Sequence, residues 1–382
     1  MSLPASTDVL VVGGGILGLA TAYGLAREGI EAVVVDRATL SGSTANAGSL
    51  HVQMQSRFIR LEPPERVALV QKHQMMYVRS IEAWRALERA LGEDIEIVVE
   101  GGLMLAETPE QYEFLAHKCR REAALGLAVE MVSASEVGRL APYLSSAVAG
   151  AEFCANEGRV NTLLANKALE SALRVAGVPV LRPLSVDSLE RDHRGFMATT
   201  KKGRIRAARL VNAAGSGAGA LAAMLGCHLP VESEAIHANV TEPIAPIMTH
   251  LVQHAERGLT LKQTSDGNVV IGGGRPSFLD PVTGMPGVMR RSIEGNLSIA
   301  LEFAPWLTNV QLIRTWGGIN AKTDGLPVMG EVPGQPGHFV VVSGDAGYTL
   351  GPWTARLLAD VMAGRDPGYD VGDFSVARFG RG

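Results

Sequence analysis

The N-terminal region carries the pattern that most restricts how this chain folds. An apolar, β-branched run at residues 9–12 is ended by three consecutive glycines, and residues 16–28 then place apolar side chains at helical spacing. A second apolar run, residues 32–35, follows and ends at Asp36. Two strands joined through a helix lie parallel with a right-handed crossover, so we expect a β–α–β unit at the start of a parallel sheet.

Within this unit, Gly13, Gly15 and Gly18 form the spacing G-x-G-x-x-G. The first glycine permits the tight turn, the second lets a pyrophosphate approach the main chain, and the third lets the helix pack closely on the strand. The helix N-terminus also offers unpaired N–H groups to phosphates. Asp36 lies 18 residues after Gly18, close to the ~20 expected for an acid that accepts a ribose hydroxyl. The unit therefore predicts dinucleotide binding, by NAD or by FAD.

Composition excludes several other classes of protein. The net charge is −4 and the basic residues are scattered, whereas nucleic-acid binding needs a concentrated positive surface. Cys119, Cys154 and Cys227 are far apart, so they indicate neither a disulfide framework nor a metal site and favour the reducing cytoplasm. Residues 9–26 carry no charge, but they include five glycines and follow no basic leader. We therefore expect neither a membrane span nor a signal peptide there.

Three later segments favour FAD over NAD. The small polar run G-S-T-A-N-A-G-S at residues 42–49 follows Asp36, and R-L-V-N-A-A-G at residues 209–215 leads into a second glycine-rich helix start. A third helix, predicted over residues 348–363, also follows a glycine loop. Reduced flavin carries negative charge near its N1 atom, which the positive end of a helix stabilises, and NAD enzymes need no such device.

The middle of the chain predicts helices and a separate antiparallel layer. Residues 63–91 have the pattern of one long amphipathic helix, and residues 95–99 and 103–106 that of a hairpin. A D-G turn at residues 266–267 predicts a second hairpin, whose neighbours complete an antiparallel sheet. The expected strands of that sheet are residues 235–240, 259–263, 269–272 and 311–319. The fold class is therefore expected to be α/β (α+β), with a Rossmann-like nucleotide domain and an antiparallel-sheet domain.

In these motifs the chain resembles the amino-acid oxidase superfamily of FAD enzymes, the group of D-amino-acid oxidase, glycine oxidase and monomeric sarcosine oxidase. The resemblance spans the whole chain, and the motifs occur in family order. In finer character the chain is similar to the FAD-containing β subunits of opine oxidase, D-hydroxyproline dehydrogenase and proline dehydrogenase complexes. The motifs that carry the resemblance are V-V-G-G-G-I-L-G-L with Asp36, G-S-T-A-N-A-G, L-V-N-A-A-G, T-D-G-L-P-V-M-G (323–330) and S-G-D-A-G-Y-T-L-G-P (343–352).

The resemblance implies a nucleotide domain that is assembled from discontinuous segments and woven with a substrate domain, whose antiparallel sheet covers the flavin. We expect the FAD-binding domain to comprise residues 1–80, 146–225 and 320–382. The substrate domain is expected to comprise residues 81–145 and 226–319.

The resemblance also implies which residues hold FAD. The ADP half is expected at the glycine turn and after the second strand, the pyrophosphate and ring along residues 42–49, and the pyrimidine end of the flavin at the last glycine loop. The expected cofactor-binding residues are Gly13, Gly15, Ile16, Leu17, Gly18, Asp36, Arg37, Ser43, Thr44, Asn46, Ala47, Gly48, Ser49, Val186, Gly215, Gly344, Gly347, Tyr348 and Thr349.

The sequence departs from the family pattern at three positions. Sarcosine oxidase attaches its flavin through a cysteine close to the position of Gly317, so noncovalent FAD is expected here. Glycine oxidase binds the substrate carboxylate with an arginine where this chain has Asn320, and sarcosine oxidase uses a lysine where it has Thr349. The usual carboxylate clamp is therefore missing. Its possible replacements are Arg57, Lys262, Arg275 and Lys322.

The leading hypothesis is oxidation of the C–N bond of an amine or amino acid, such as a secondary amine, an opine or a proline-like compound. The substrate hydride would pass to flavin N5 and leave an imine. His51 is a candidate for tuning the protonation of the amine, because histidine titrates near ~6.5. The catalytic candidates are His51, Asn320 and Thr349, and no metal is expected.

The electron acceptor and several alternatives stay open. Family oxidases place a lysine beside the flavin to promote reaction with oxygen, whereas the corresponding strand here, V-V-I-G-G-G-R, has none, although Lys262 lies on the preceding strand. A dehydrogenase that passes electrons to a partner protein of a heteromeric complex is therefore favoured. The alternatives are a standalone glycine- or sarcosine-like oxidase that produces peroxide, a 2-hydroxy-acid oxidoreductase, a non-catalytic flavin-holding component of a complex, and a nicotinamide dehydrogenase.

Overall fold

A computed structural model describes residues 3–39 and 42–380. The segments predicted for the nucleotide domain also include residues 1–2, 40–41 and 381–382, which lie outside the described residues. In chain order the α-helices are α1 (Ile16–Arg27), α2 (Ser56–Leu61), α3 (Pro64–Lys72), α4 (Met75–Leu91), α5 (Pro109–Ala124), α6 (Ala134–Leu140), α7 (Thr162–Val175), α8 (Ala218–Ala223), α9 (Arg290–Phe303) and α10 (Gly351–Met362).

The strands form two large sheets and two short pairs. In chain order they are β1 (Ser6–Val12), β2 (Ala32–Val35), β3 (Ser49–Leu50), β4 (Gly102–Ala106), β5 (Val129–Ser133), β6 (Gly150–Cys154), β7 (Gly158–Arg159), β8 (Val180–Leu181), β9 (Ser188–Asp192), β10 (Gly195–Thr200), β11 (Gly203–Asn212), β12 (Glu232–Pro243), β13 (Leu251–His254), β14 (Thr260–Gln263), β15 (Asn268–Gly272), β16 (Phe278–Leu279), β17 (Pro286–Gly287), β18 (Leu312–Lys322), β19 (Val328–Glu331) and β20 (His338–Val342).

The first sheet has the order β19-β20-β11-β1-β2-β8. Strand β1 pairs in parallel with β2 and with β11, so the predicted parallel β–α–β unit is confirmed. Strands β9 and β10 extend β11 as an antiparallel pair, and β19 closes the far edge antiparallel to β20. Three distant stretches of the chain therefore supply adjacent strands.

Both faces of the first sheet are buried. Val9 and Val11 of β1 face a core with α1, α7 and α10, whereas Leu10 and Val12 face a second core with β10 and β11. Burial on two faces explains why the parallel strands have continuous apolar sequences rather than alternating ones. The edge where β1, β11 and β20 end is the edge that carries the glycine loops.

The second sheet has the order β18-β12-β15-β14-β13-β4-β6-β5. Its neighbours pair antiparallel except β13 and β4, which are parallel. The predicted hairpin around the D-G turn is confirmed as β14 and β15. One face packs against α6 and α9, where Phe303 is buried among apolar side chains of β13, β14 and β15.

Two predicted elements are wrong. Residues 95–99 form no strand beyond a single bridge from Val98 to Arg159, because Glu96 takes a positive φ of 57° that interrupts extended backbone. Strand β4, which is buried along its whole length, instead pairs with β6 and β13 in the middle of the sheet. The long helix predicted over residues 63–91 is two helices, α3 and α4, because the chain turns at His73, whose ring contacts Asp373 near the C-terminus.

The expected domain boundaries stay a prediction, and two strands lie across them. Strand β6 lies in the antiparallel sheet, although the segment 146–225 was expected to belong to the nucleotide domain. Strand β18 also runs across the expected boundary between residues 319 and 320.

In the described part of the chain, no helix has the length and apolar character needed to cross a membrane.

The junction of β1 and α1 generates the first prediction. A side-chain carbon on Gly18 would lie 1.8 Å from the carbonyl oxygen of Gly13, so Gly18→Ala forces helix and strand apart. We expect the unfolding free energy, measured by chemical denaturation, to fall by about 1–3 kcal/mol or more. We also expect nucleotide binding to be lost. Gly138→Ala in α6 is the matched control, since a carbon there meets nothing within 4 Å, and it should be neutral or slightly stabilising. Equal stability of the two variants would contradict the tight-junction account.

Candidate active site

The glycine turn after β1 presents the start of α1 to a long cleft. Gly13 has a φ of 114°, which favours glycine, and its N–H donates to Val35 at 2.9 Å. The N–H of Ile16 donates to Ser43 Oγ at 2.9 Å, which brings residues 42–49 against the helix start. No other described side chain caps the first turn of α1, so its N–H groups and partial positive charge face the cleft.

Asp36 lies at the end of β2 beside the same turn. Its carboxylate accepts from the N–H groups of Gly14 at 2.6 Å and Ala38 at 2.7 Å. Arg182 places Nε 3.2 Å from the carboxylate and also donates to the carbonyl of Gly14. Sequence reasoning missed Arg182, because it comes from a distant segment with no motif. These bonds fix Asp36 in position at the cleft.

The cleft runs along the edge of the first sheet and is lined by the three predicted segments. Asp36 is the only acid that lines it among the described side chains. Its lining residues include Gly13, Gly15, Ile16, Leu17, Asp36, Arg37, Ser43, Asn46, Val186, Gly215, Gly344, Gly347 and Tyr348, all of which were predicted to bind the cofactor.

A second chamber adjoins the cleft beneath the antiparallel sheet. The two cavities share lining residues on the 42–49 run, on β18 and after β20. The shared residues are Gly42, Asn46, Ile319, Asn320, Gly347 and Tyr348. Other residues line the chamber but not the cleft. They are the predicted residues Ala47, Ser49, His51 and Thr349, and, from the sheet, Ile236, His237, Thr260, Lys262, Val270 and Trp316.

Three predicted residues line neither cavity. Gly18 packs against Gly13, and Gly48, with a φ of 76°, packs against the carbonyl of Val160. Thr44 lies within the same 42–49 turn. Gly18 and Gly48 therefore shape the site through backbone packing.

Aromatic packing supports the last glycine loop from behind. Tyr348 stacks on Trp84 with ring centroids 5.2 Å apart, and both rings are buried. The indole N–H of Trp84 donates to the carbonyl of Thr349 at 3.0 Å, and the Thr349 hydroxyl donates to the carbonyl of Ser49 at 3.3 Å. Thr349 thus joins the loop after β20 to the run after β2.

Lys262 is the charged residue of the chamber whose position the sequence left open. It is 3% exposed, and its Nζ donates to the carbonyl of Ala47 and to Ser49 Oγ at 3.1 Å. Burial, together with repulsion from Arg159, holds the pKa of Lys262 well below its usual value. The side chain therefore points from the sheet onto the 42–49 run.

Burial lowers the pKa of both histidines of the chamber. Burial and the nearby Lys262 lower the pKa of His51 to about 4, although the Gln253 side chain raises it in part. Burial also lowers the pKa of His237, whose ring contacts the Arg275 carbonyl and the Asn239 amide. Since both ring nitrogens of His237 contact protein atoms, the sheet around this side chain holds it in place.

The residues present fit an FAD molecule. The cleft offers backbone N–H groups at a helix start and a single acid at one end, as an ADP half requires. The chamber continues the cleft under the antiparallel sheet. No group of three or more metal-ligating side chains occurs among residues 3–39 and 42–380.

Comparisons with known proteins agree with this geometry. The profile of the family described as DAO, FAD dependent oxidoreductase, matches residues 8–361. The chain is 28% identical to glycine oxidase from Geobacillus kaustophilus and 26% identical to one of the subunits of opine oxidase from Rhizobium meliloti, with 97% of each chain covered in both cases. The crystal structure of the Geobacillus kaustophilus glycine oxidase superposes with a TM-score of 0.86 at 26% identity, covering 98% of this chain and 99% of that one.

Asp36 provides the prediction for the cofactor cleft. Asp36→Asn replaces one carboxylate oxygen by an NH₂ group, whose N–H donors then face other donors. We expect FAD affinity to fall about 10–100-fold, which corresponds to the loss of one charged hydrogen bond. Titration of the apoprotein with FAD, followed by flavin fluorescence, measures the change. Asp192→Asn is the matched control, because Asp192 at the end of β9 pairs with Arg206 of β11, away from the cleft. Unchanged FAD affinity in Asp36→Asn would contradict the assignment.

Proposed function

Because the chain belongs to the DAO family of FAD-dependent oxidoreductases, we propose that it oxidises the C–N bond of an amino acid with a substituted nitrogen, such as an opine or a proline-like secondary amine. It is an FAD-dependent oxidoreductase of the type that acts on amines or amino acids. When bound, FAD accepts the hydride equivalent from the substrate carbon, so that an imine is left.

The charge of the chamber carries the proposal. Lys262, His51, His237 and Tyr348 are the titratable side chains that line it in the described chain, and no carboxylate side chain that the structure describes does so. An alkylammonium would find no carboxylate partner among the described side chains there, whereas a neutral amine needs none. The chamber therefore favours the neutral amine, whose nitrogen lone pair assists removal of the hydride.

A substrate carboxylate has basic partners at the rim. A side-chain carbon placed on Gly258 would lie 3.4 Å from Nη1 of Arg57 and 3.6 Å from Cγ of Arg275, so the Arg57 guanidinium and the Arg275 stem lie beside Gly273 and Gly274, which line the chamber. The Arg275 guanidinium itself lies against Gly295 of α9. Neither arginine forms a salt bridge with any carboxylate that the structure describes. We assign the missing carboxylate clamp to Arg57 and Arg275, with Lys262 deeper inside.

The remaining roles follow from position. His51 and Asn320 face the chamber, so we propose that they orient the amine, while Thr349 holds the loop that carries the ring. FAD is proposed to be noncovalent, because no cysteine lines either cavity among the described residues. The three free cysteines support a reducing, cytoplasmic location.

The electron acceptor is proposed to be a partner protein in a heteromeric complex, because the name of the opine oxidase relative suggests such an assembly.

A specific observation favours the second candidate, a peroxide-forming oxidase. The strand on which the family pattern places a lysine has none here. Lys262 nevertheless reaches the chamber from the preceding strand, β14, and contacts residues 47 and 49. Oxygen reactivity therefore needs its own measurement.

The substrate class is tested by anaerobic mixing of the purified yellow protein with matched compounds. We expect N-substituted amino acids to bleach the flavin absorbance, and the corresponding decarboxylated amines to do so only at much higher concentration. Bleaching by 2-hydroxy acids alone would overturn the proposal in favour of a hydroxy-acid oxidoreductase. No bleaching by any amine would favour a flavin-holding component without its own catalysis.

Admission of air to the reduced protein then separates the acceptors. A dehydrogenase stays reduced for minutes and is reoxidised by an added dye, whereas rapid reoxidation with peroxide release would identify an oxidase.

The carboxylate clamp gives a sharper prediction. Arg275→Gln and Arg57→Gln should each raise the half-saturating concentration of a carboxylate-bearing substrate about 10–100-fold, with little change for its decarboxylated analogue. Arg290→Gln is the control, since Arg290 is exposed and its one ion-pair partner among the described residues is Glu294. An equal loss for both substrates, or none, would refute the assignment.

A further inference from the structure

Gly272 lines the chamber at the end of β15, where the fold itself does not require a glycine. A side-chain carbon on Gly272 would meet, among described atoms beyond its chain neighbours, only Thr260 Oγ1, at 4.0 Å. Its φ lies outside the left-handed region that favours glycine, and its carbonyl accepts from Asn296 Nδ2 at 2.7 Å. Glycine inside a strand weakens the strand and often marks a place where a ligand approaches the backbone closely.

Two other glycines of the chamber wall are fixed by packing. A carbon on Gly273, whose φ is 129°, would lie 2.3 Å from the main-chain nitrogen of Leu259. A carbon on Gly318 would lie 3.0 Å from Cβ of Ala45. Gly272 differs from both, because the space that its side chain would take is free of described protein atoms.

The pairing of β14 with β15 places this space inside the chamber. Thr260 pairs with Gly272 and Lys262 pairs with Val270, and all four residues line the chamber. Residues two apart in a strand share a face and lie roughly 7 Å apart. The notch formed by Thr260 and Gly272 therefore lies one pair beyond Lys262, which contacts the 42–49 run.

Arg57 lies beyond the notch on the same side of the chamber. A side-chain carbon on Gly258, two residues before Thr260, would lie 3.4 Å from Nη1 of Arg57. The sheet thus presents Lys262, the notch and Arg57 in that order. A substrate whose carboxylate is bound by Arg57, and whose carbon reacts at a ring beside Lys262, passes the notch between these two points.

The direction of hydride transfer decides which substrate groups face the notch. The hydrogen on the reacting carbon points to the flavin, as alignment for transfer requires, so the larger groups lie toward the sheet. An amino acid with a substituted nitrogen carries its additional group on the atom next to the reacting carbon. The notch gives that group room, whereas a simple amino acid such as glycine has nothing to place there.

We propose that the notch of Thr260 and Gly272 binds the substituent on the substrate nitrogen, so that Gly272 determines how large this substituent can be. The inference rests on the proposed function for the class of substrate.

Thioether acids test the notch without catalysis. In compounds R–S–CH₂–COO⁻ a sulfur replaces the amine, so there is no C–N bond to oxidise, and binding to the FAD-loaded protein is read from the shift of the flavin absorbance. We expect wild type to bind the butyl compound more tightly than the methyl compound, because the extra methylenes are buried. Gly272→Val should lower the affinity for the butyl compound about 10–200-fold, with little change for the methyl compound.

Three controls separate steric loss in the notch from other effects. Gly138→Val makes the same change in α6, where a carbon meets no described atom within 4 Å, and should leave both affinities unchanged. An isomeric type of compound with the butyl group on the α-carbon, CH₃–S–CH(C₄H₉)–COO⁻, should bind equally to wild type and Gly272→Val. Gly272→Ala should give a smaller loss for the S-butyl compound, and it replaces the valine variant if that variant does not fold.

Equal affinity of wild type and Gly272→Val for the S-butyl compound would overturn the proposal, as would a loss that follows the butyl group on the α-carbon. A fall in FAD affinity in Gly272→Val would assign the space to the flavin ring and overturn it too. Thioether binding that depends on Gly272, in a wild-type protein that no N-substituted amino acid bleaches, would contradict the proposed function alone. Bleaching by those amino acids without a size effect at Gly272 would contradict this inference alone.

Discussion

Residues 42–49 are held by hydrogen bonds from both sheets at once, and the site depends on that double attachment. From the nucleotide side, the N–H of Ile16 donates to Ser43, and Thr349 donates to the carbonyl of Ser49. From the antiparallel sheet, the indole of Trp316 donates to the carbonyl of Ala45 at 2.8 Å, and Lys262 donates to Ala47. Because the donors belong to elements far apart in sequence, the cleft and the chamber form only when both sheets are in place.

A buried group of charged side chains lies against the segment that follows His51. Lys118, Glu122 and Glu152 are almost fully buried together, and burial raises the pKa of Glu152 to about 8. Although burial opposes it, the two carboxylates raise the pKa of Lys118. Buried ion pairs of this kind contribute little net stability but are costly to break on one side. Their value here is in fixing the segment that carries His51, since Lys118 reaches Gln53 and Glu122 accepts from the N–H of Met54.

The sequence predicted the parts of this arrangement that depend on local spacing. The glycine turn, Asp36, the parallel pairing of β1 with β2 and the hairpin of β14 with β15 each follow from residues close together in the chain. The break between α3 and α4 was not predictable, because no glycine or proline marks it and the residue at the break, His73, contacts Asp373 at the other end of the chain. The same holds for Arg182 beside Asp36 and for Glu157, whose carboxylate accepts from the N–H of Val52 next to His51. Spacing shows which side chains share a face, but not which distant segment packs against it.

The central claim is that one FAD molecule extends from Asp36 to the chamber, with its ring between residues 42–49 and the antiparallel sheet. A crystal structure of the yellow protein tests this most directly. The account predicts electron density for the isoalloxazine beside Lys262 and Tyr348, with the adenosine end at Asp36. Density for the ring outside the chamber, or a nicotinamide nucleotide in the cleft, would contradict it.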